Sequence, residues 1–349
     1  MDAGGRSGDA SPRRASIRDV AAASGVSMAT VSHAMNGTGR VEERTKKKIV
    51  EVARALGYRA NPSARSLRGA RTGMIALTNR KPEGLAAGLT DLEYFFKVLS
   101  SATSTALAHG YCLVVSPPID DAVTLDGLPM DGAILVDPLR ADPLLPQLED
   151  VGITVVTVGR DLDWRDDEGW WVDNDIDSSV TDVLNHAEAC GARRVGLLSG
   201  PSAQSFVADT RSAYVGWVEA RGNDAIIAEV DVARSEDPAF AAAQDLLRQP
   251  QRPDAVYAEM ESFALRALAA AQSLGLRVPE DVRIAAGSDS HAARTAVPPI
   301  TALDLHPEEL GRAAVEMLIG RIEGAQRDPV HVVIPTEVMV RDSTLSAGA

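Results

Sequence analysis

The sequence predicts a small all-α domain at the N-terminus, followed by a larger α/β body with parallel sheets in two lobes. The first sixty residues contain three short helical patterns, whereas strand and helix patterns alternate from residue 72 onward. The charge changes at the same place. Residues 1–72 carry 14 Lys and Arg against 6 Asp and Glu, and the rest of the chain carries 21 against 43. A basic segment on an acidic body indicates a nucleic-acid-binding module. The alternative is a basic tail that is solvated and binds nothing.

The composition is that of an ordinary globular protein, with 349 residues, 45% of them hydrophobic and 24% charged. Cys112 and Cys190 lack the spacing of a metal site, so we expect free thiols and no metal. No apolar run approaches the ~20 residues that span a bilayer. Residues 1–14 lack the apolar core of a signal peptide. We therefore expect a cytoplasmic protein with a disordered N-terminal arm and no membrane partner.

The first domain, residues 15–60, is predicted to be a helix-turn-helix unit. Ser16 and Asp19 have the spacing of a capping box in front of a short apolar helix. A glycine turn separates this helix from a second one over residues 28–35, and a third follows over residues 42–56. Two helices joined by such a turn can place the second in the major groove of DNA. Periodicity alone also fits any small three-helix unit.

The body of the chain alternates between strand and helix patterns. The strand candidates are residues 74–78, 112–116, 133–136, 153–158, 194–198, 255–258 and 282–286. The helix candidates are residues 92–109, 175–190, 206–220, 238–247 and 262–274. Alternation of this kind predicts βαβ units and parallel sheets. Ligands of such sheets bind at the carboxyl ends of the strands, so we expect a binding site in the cleft between two lobes.

Particular residue runs carry a family resemblance. Residues 17–32 and 57–67 resemble, in order and spacing, the DNA-binding headpiece of the LacI/GalR (lactose-repressor) family of transcriptional regulators. Shorter matches to the same family follow at residues 72–77, 109–111, 130–135, 190–195, 278–282 and 334–337. The resemblance implies an effector domain with the fold of type I periplasmic binding proteins. It also implies three crossings between the lobes, near residues 160–161, 302–303 and 335.

The resemblance implies the following domain boundaries. Residues 1–14 form the arm, 15–60 the helix-turn-helix headpiece and 61–71 a hinge helix or linker. The N-lobe comprises residues 72–160 and 304–335, and the C-lobe comprises residues 161–303 and 336–344. On this scheme the helical segment 307–323 returns to the N-lobe.

The resemblance also implies which residues contact DNA. The base-reading positions of the second helix are matched by Met28, Ala29 and His33. Backbone contacts, which position the helix without reading sequence, are expected from Ser27, Thr30, Ser32 and Asn61. Minor-groove contacts of the hinge are expected from Ala64, Arg65, Leu67 and Arg68, with the leucine as an apolar wedge. His33 replaces a frequent arginine and cannot copy its bidentate grip on guanine. The alternatives are a packing role for Met28 and an ordinary solvated linker for the hinge.

Two residues of the body match ligand-binding positions of the family. Arg211 matches the arginine that grips ligand oxygens, and a guanidinium fork suits hydroxyls or a carboxylate. Asp289 matches the acidic residue that accepts hydrogen bonds from sugar hydroxyls. The alternatives are a solvent-facing surface arginine and a turn aspartate, since such residues are mostly exposed.

Other positions depart from the family pattern. Where the family often has Asn-Asp after the strand at residues 255–258, this chain has Met260 and Glu261. The ligand is therefore expected to be a sugar or sugar derivative, or a less polar small molecule, or to be absent. Trp164 belongs to a rare aromatic cluster near the first crossing and could stack on a sugar ring, although packing is the alternative.

Together these observations predict a sequence-specific transcriptional regulator, a repressor by family default. We expect a homodimer on a palindromic DNA operator, a small-molecule effector in the cleft, and no cofactor. One rival is a solute-binding protein that only carries its ligand. A second is an enzyme that uses the cleft, but the chain has no G-x-S-x-G, P-loop or H-E-x-x-H motif and no candidate catalytic constellation. A third is an architectural DNA binder without ligand control.

Overall fold

The structure is a computed structural model, and it divides the chain into two compact units, Met1–Thr72 and Gly73–Ala349. The residues that it describes are 15–36, 41–58, 71–80, 91–116, 129–165, 167–201, 203–231, 235, 237–325 and 328–345. The predicted arm and most of the predicted hinge lie outside these ranges.

The first unit contains three helices, α1 (Ile17–Ser24), α2 (Met28–Asn36) and α3 (Glu43–Ala55). The capping box of α1 is formed as predicted. The Asp19 carboxylate accepts from the Ser16 backbone N–H at 2.7 Å, and the Ser16 hydroxyl accepts from the Asp19 N–H at 3.4 Å. Each helix buries one fully enclosed side chain in the shared core, namely Val20, Val31 and Ile49. Helices of this length are only marginally stable by themselves, so the packing of these apolar faces against one another stabilises them.

The second unit contains twelve strands and eight helices in the described ranges. The strands are β1 (Met74–Asn79), β2 (Cys112–Val115), β3 (Gly132–Val136), β4 (Thr154–Val158), β5 (Trp171–Asn174), β6 (Val195–Ser199), β7 (Ile227–Glu229), β8 (Ala255–Ala258), β9 (Arg283–Ala286), β10 (Thr301–Asp304), β11 (His331–Ile334) and β12 (Glu337–Met339). The helices are α4 (Asp91–Ala108), α5 (Leu144–Asp150), α6 (Ile176–Ala189), α7 (Ser205–Glu219), α8 (Pro238–Leu247), α9 (Glu261–Ser273), α10 (His291–Thr295) and α11 (Pro307–Glu323).

The strands form two six-stranded sheets, one in each lobe. The N-lobe sheet has the order β11-β5-β4-β3-β1-β2, and the C-lobe sheet has the order β12-β10-β9-β8-β6-β7. Every pairing is parallel except that of β12 with β10. Central strands such as β3 and β8 are buried along their whole length, because helices cover both faces of a parallel sheet. The predicted fold class, a helical headpiece with a two-lobed α/β body, is confirmed.

The chain passes between the two sheets three times. The crossings follow Asn174 at the end of β5, Leu305 after β10, and Ile334 at the end of β11. The first crossing lies later than the predicted one near residues 160–161. Because β5 pairs with both β4 and β11, residues 161–174 belong to the N-lobe, and the predicted C-lobe boundary was wrong there. A four-residue strand that begins with tryptophan and ends in two polar residues carries no apolar alternation that would have revealed it.

One side chain connects all three crossings. The amide Nδ2 of Asn174 donates to the carbonyl oxygen of Leu305 at 3.0 Å and to that of Ile334 at 3.1 Å. All three residues are buried, so these bonds are shielded from water. The crossings are thereby tied together at the hinge between the lobes. The helix α11 returns from the second crossing to pack on α4 of the N-lobe.

Candidate nucleic-acid interface and inter-lobe cleft

The second helix of the headpiece begins at a serine cap. The hydroxyl of Ser27 accepts from the Thr30 backbone N–H at 3.1 Å and shares a hydrogen bond of 2.9 Å with the Thr30 hydroxyl. This local bond explains why α2 begins at Met28, since the cap satisfies one of the helix's free N–H groups. Both hydroxyls lie at the helix N-terminus, where backbone N–H groups and the helix dipole favour a phosphate.

The predicted base-reading residues share one outward face of α2. Met28 is 46% exposed, and Ala29 and His33 are also exposed, whereas Val31 and Ala34 point into the core. The core of this unit is thus complete without the Met28 side chain. Met28 therefore does not pack in the headpiece core, which was the alternative to base reading. The Met28 side chain is available for contact with a partner.

The remaining predicted DNA contacts divide into two groups. Ser32 is half-buried on α2 and already engaged in an interaction within the protein. The hinge residues Asn61, Ala64, Arg65, Leu67 and Arg68 lie outside the described residues. Their predicted roles stay predictions.

In the body, the carboxyl ends of the two parallel sheets face each other across a cleft. The side-chain amide of Gln204 at the start of α7 donates to the carbonyl oxygen of Asp137 after β3, at 3.2 Å. The Arg140 N–H donates to the carbonyl oxygen of Ala203 at 2.8 Å. These bonds join the N-lobe to the C-lobe along one flank of the cleft.

A single guanidinium bridges the two lobes on this flank. Arg160, just after β4, lies 2.7 Å from Asp209 on α7 of the C-lobe and 3.2 Å from Asp173 on β5 of the N-lobe. The Ser205 hydroxyl adds a bond to the Asp173 carboxylate at 3.3 Å, and it accepts from the Arg160 backbone N–H at 3.3 Å. The arrangement places two carboxylates on one cation, and Asp137 adds a third carboxylate nearby.

Burial changes the ionisation of these carboxyls. Burial, together with repulsion from Asp173, raises the pKa of Asp137 to about 7. Burial also raises the pKa of Asp173 to about 6, against the lowering effects of the Asn174 N–H and Arg160. Burial and the two aspartate charges raise the pKa of Tyr94 on α4 well above its ordinary value, so this phenol stays neutral. This part of the cleft can therefore both accept and donate hydrogen bonds near neutral pH.

A second set of charges joins the lobes through α4 and α10. The Glu93 carboxylate of α4 accepts from the His291 backbone N–H at 2.7 Å and from the Arg294 guanidinium at 3.1 Å. Arg294 also donates to Asp289 at 2.8 Å. Asp289 is held from inside the C-lobe as well, because Arg341 donates to it at 2.9 Å. Thus the predicted effector-binding aspartate already has two cationic partners.

The other predicted effector-binding residues are scattered. Arg211 is exposed on α7 and pairs with Glu229 at 2.8 Å, and its positive charge acts to lower the pKa of the buried Glu259. Met260 is half-buried against the C-lobe core. Glu261 is buried and accepts from the Ser288 hydroxyl at 2.7 Å. Trp164 packs against an apolar cluster of the N-lobe. The predicted stacking of Trp164 on a ligand stays a prediction.

Sequence reasoning missed a buried carboxylate beside β8. Glu259 is 1% exposed and accepts from the Ser199 hydroxyl at 2.6 Å and from the Gly200 N–H at 3.3 Å. Burial raises the pKa of Glu259 to about 7, against these two hydrogen bonds. Like Asp137, it directly follows a central strand, and Arg160 lies two residues after the end of another. The rule that sites lie at strand carboxyl ends would have indicated all three.

Within the ranges described, no group of three or more His, Cys, Asp or Glu side chains is arranged to hold a metal ion. Among the helices of those same ranges, none is long and apolar enough to cross a membrane.

Comparison with known proteins gives consistent matches along most of the chain. Residues 16–61 match the family model for bacterial regulatory proteins of the lacI family. Residues 184–344 match the model for a periplasmic binding protein-like domain. The transcriptional regulator CelR of Thermobifida fusca is 29% identical, over 95% of this chain and 98% of the relative. The transcriptional repressor PurR of Yersinia pestis bv. Antiqua (strain Antiqua) is 28% identical, over 94% and 96%.

Solved structures agree with these relatives. The complex of the transcriptional regulator CelR with cellobiose superposes with a TM-score of 0.69 at 26% identity, covering 95% of this chain and all of that one. The Lac repressor dimer bound to operator and the anti-inducer ONPF superposes with a TM-score of 0.78 at 21% identity, covering 96% of this chain and all of that one, which shows a shared fold. The two family models match both units of the structure, and the relatives span nearly the whole chain. The N-terminal unit is thus similar to the lacI family of bacterial regulatory proteins, and the relatives that span nearly the whole chain are HTH-type transcriptional regulators.

Proposed function

We propose that this protein represses transcription by binding a palindromic DNA operator as a homodimer, with an affinity that a small molecule in the inter-lobe cleft changes. The observation that carries the DNA-binding part is the outward face of α2. Met28, Ala29 and His33 are exposed together on a serine-capped helix that needs none of them for its core. The relatives named as a regulator and a repressor, CelR and PurR, support the same reading.

The proposed DNA contact follows the geometry of helix-turn-helix proteins. The helix α2 enters the major groove, where Met28 and Ala29 contact apolar base edges such as the thymine methyl group. His33 makes one hydrogen bond to a base, because the two nitrogens of an imidazole lie at separate positions of the ring. Ser27 and Thr30 contact phosphate at the helix N-terminus. The surplus of positive charge in residues 1–72 supplies the non-specific attraction to DNA.

A homodimer accounts for an exposed stripe on α4. Phe96 is 57% exposed and Leu107 is 61% exposed. Ser100 and Ser104 are exposed between them and fall on the same side of the helix at helical spacing. Large apolar side chains separated by small ones suit close packing against the same stripe of a second copy. Two headpieces brought together in this way would read two half-sites about one DNA turn apart.

The effector is proposed to be a hydroxyl-bearing small molecule, such as a sugar or sugar derivative. The cleft presents carboxylates that accept hydrogen bonds and a neutral Tyr94 hydroxyl that can donate one. One of the similar solved structures is the complex of the transcriptional regulator CelR with cellobiose, which supports a sugar as the effector. A ligand that binds one lobe arrangement better than another shifts the population towards that arrangement. DNA affinity then changes by the coupling free energy between the ligand site and the DNA site. The protein would act in the bacterial cytoplasm, on the nucleoid when bound to its operator.

The test is selection from a randomised DNA pool by the purified protein at fixed salt, followed by sequencing. We expect enrichment of a palindrome. Met28→Ala and His33→Ala should each relax base preference at one position per half-site and weaken binding about tenfold, as expected for a loss of ~1–3 kcal/mol per base contact. Val50→Ala is the matched control, because Val50 is 40% exposed but lies on α3. Leu67→Ala should weaken binding by removing the apolar wedge of the predicted hinge helix, residues 61–71. Salt-sensitive binding without an enriched sequence would contradict specific readout.

A further inference from the structure

Four charged residues form a continuous chain across the cleft, which we name the clasp: Glu93, Arg294, Asp289 and Arg341. Glu93 belongs to the N-lobe, and the other three belong to the C-lobe. Successive members lie 3.1 Å, 2.8 Å and 2.9 Å apart. The clasp is reinforced by the backbone N–H of His291, which donates to the second oxygen of Glu93 at 2.7 Å. The clasp therefore connects a predicted effector-binding aspartate to the opposite lobe.

The two arginines of the clasp are held differently. Arg341 is nearly buried, with a side chain 14% exposed, and it also donates to the carbonyl oxygen of Ile300 at 2.6 Å. Arg294 is 39% exposed and divides its two terminal nitrogens between Asp289 and Glu93. Because Arg341 is anchored inside the C-lobe, it can neutralise Asp289 alone. Arg294 is the exchangeable partner.

The Glu93 end of the clasp is charged at neutral pH. Burial acts to raise the pKa of Glu93, but the hydrogen bonds from the His291 N–H, Lys97 and Arg294 outweigh burial and lower the pKa. If Arg294 leaves, Glu93 loses its cationic partner in the C-lobe and keeps Lys97, which lies on its own helix at 3.3 Å. The contact between Glu93 and the C-lobe then depends on the one backbone hydrogen bond from His291.

We propose that the clasp holds the two lobes together, and that Arg294 competes for Asp289 with any ligand that donates hydrogen bonds to this carboxylate. A ligand that donates hydrogen bonds to Asp289 displaces Arg294, releases Glu93 and lets the lobes open. This part of the inference rests on the proposed function, because it assumes that the effector reaches Asp289. The joining of the lobes by the clasp rests on the described contacts alone. The chain thus carries an internal competitor for its own effector.

The experiment is hydrogen exchange, measured by mass spectrometry on the full-length, ligand-free protein. The reporter is the Arg140 amide, which bonds to the Ala203 carbonyl of the other lobe and lies apart from every clasp residue in sequence and contact. Glu93→Ala and Arg294→Ala should each speed exchange of the peptide around Arg140 about tenfold. The double variant should add little to Glu93→Ala, since that single change already removes the bonds from both Arg294 and the His291 N–H.

The matched control is Glu316→Ala on α11. Glu316 also makes an exposed ion pair with an arginine, Arg312 at 3.3 Å, but that pair lies within one helix of the N-lobe. It should leave the Arg140 peptide unchanged. Unchanged exchange around Arg140 in both Glu93→Ala and Arg294→Ala would overturn the clasp as a closing device, even if exchange near α10 rose locally.

Asp289→Asn tests the transmission of a change at the ligand position. Its effect is read in the N-lobe, in the amides of residues 95–100 on α4, which Asp289 does not contact. We expect faster exchange there, because the weakened Arg294–Asp289 pair no longer positions Arg294 for Glu93. No change in these amides, in a variant that still melts cooperatively, would refute displacement of Arg294 as the route to opening. None of these measurements involves DNA, so failure of the clasp and failure of the proposed operator binding are distinguishable.

Discussion

Replacing Asn174 with alanine should weaken the hinge between the two lobes more than any exposed asparagine could. Its side-chain amide is the donor for two buried carbonyl oxygens, those of Leu305 and Ile334, each on a different crossing. Alanine fits the same backbone but offers no donor. Both carbonyls would then have to find water at a place where the protein is 6–8% exposed.

The magnitude follows from these two bonds. A hydrogen bond contributes about 0.5–1.5 kcal/mol net, and a buried acceptor left unsatisfied costs about 1–3 kcal/mol. Partial access of water to a loosened hinge would recover some of the cost. We therefore expect Asn174→Ala to lower the free energy of unfolding of the body by about 2–4 kcal/mol.

Urea unfolding followed by tryptophan fluorescence measures this loss. Three of the four tryptophans, Trp164, Trp170 and Trp171, lie in the N-lobe, and Trp217 lies on α7 of the C-lobe. A second probe, circular dichroism, covers both lobes. In the parent protein the unfolding transitions recorded by the two probes should coincide, because the crossings couple the lobes. In the variant the two transitions should separate.

Asn223→Ala is the matched control, since Asn223 is exposed in the turn after α7. It should change the free energy of unfolding by less than ~0.5 kcal/mol, as surface substitutions usually do. A loss in Asn174→Ala no larger than in this control would refute the view that the amide holds the crossings together.

Three further predictions test other parts of the molecule. Burial raises the pKa of Glu259 from 4.5 to about 7, so the folded state holds a proton that the unfolded state loses as pH rises between these values. The free energy of unfolding should therefore fall, relative to that of Glu259→Gln, by an amount on the order of 2 kcal/mol from pH 5 to pH 8 in urea titrations; parallel pH profiles would contradict it. Gly311→Ala should destabilise the N-lobe by about 1–3 kcal/mol in thermal unfolding, because its methyl group would overlap the Val98 carbonyl oxygen of α4; an unchanged melting temperature would show that the helices separate freely. Ser16→Ala removes the capping box with Asp19 and should cost the headpiece about 1 kcal/mol by helical circular dichroism, whereas Ser16→Thr should retain most of it.

The headpiece was predictable because its determinants are local. The cap at Ser27 acts on a residue three positions away, and the apolar stripe of each short helix selects its buried face. Exposure of Met28, Ala29 and His33 follows once Val31 and Ala34 are turned inward. The alternation of strands and helices likewise indicated two parallel sheets, since βαβ units need no information beyond the order of the elements.

The cleft was less predictable because its residues take partners from distant parts of the chain. Nothing near Asp289 in the sequence reveals that Arg341, on the far side of the third crossing, neutralises it. Similarly, the apolar cluster against which Trp164 packs is built from other elements of the N-lobe. The strand β5 escaped detection because its pairing with β11 joins segments that are far apart in the sequence.

The sequence by itself determined the family resemblance, the helix caps, the order of elements and the outward face of α2, because each depends on neighbours within one or two turns. The tertiary structure alone decided which charges meet across the cleft. Arg160 faces Asp209, and Glu93 faces Arg294, only because three crossings bring the two lobes together. The strength of a charge pair depends on distance and burial, and both are properties of the folded chain.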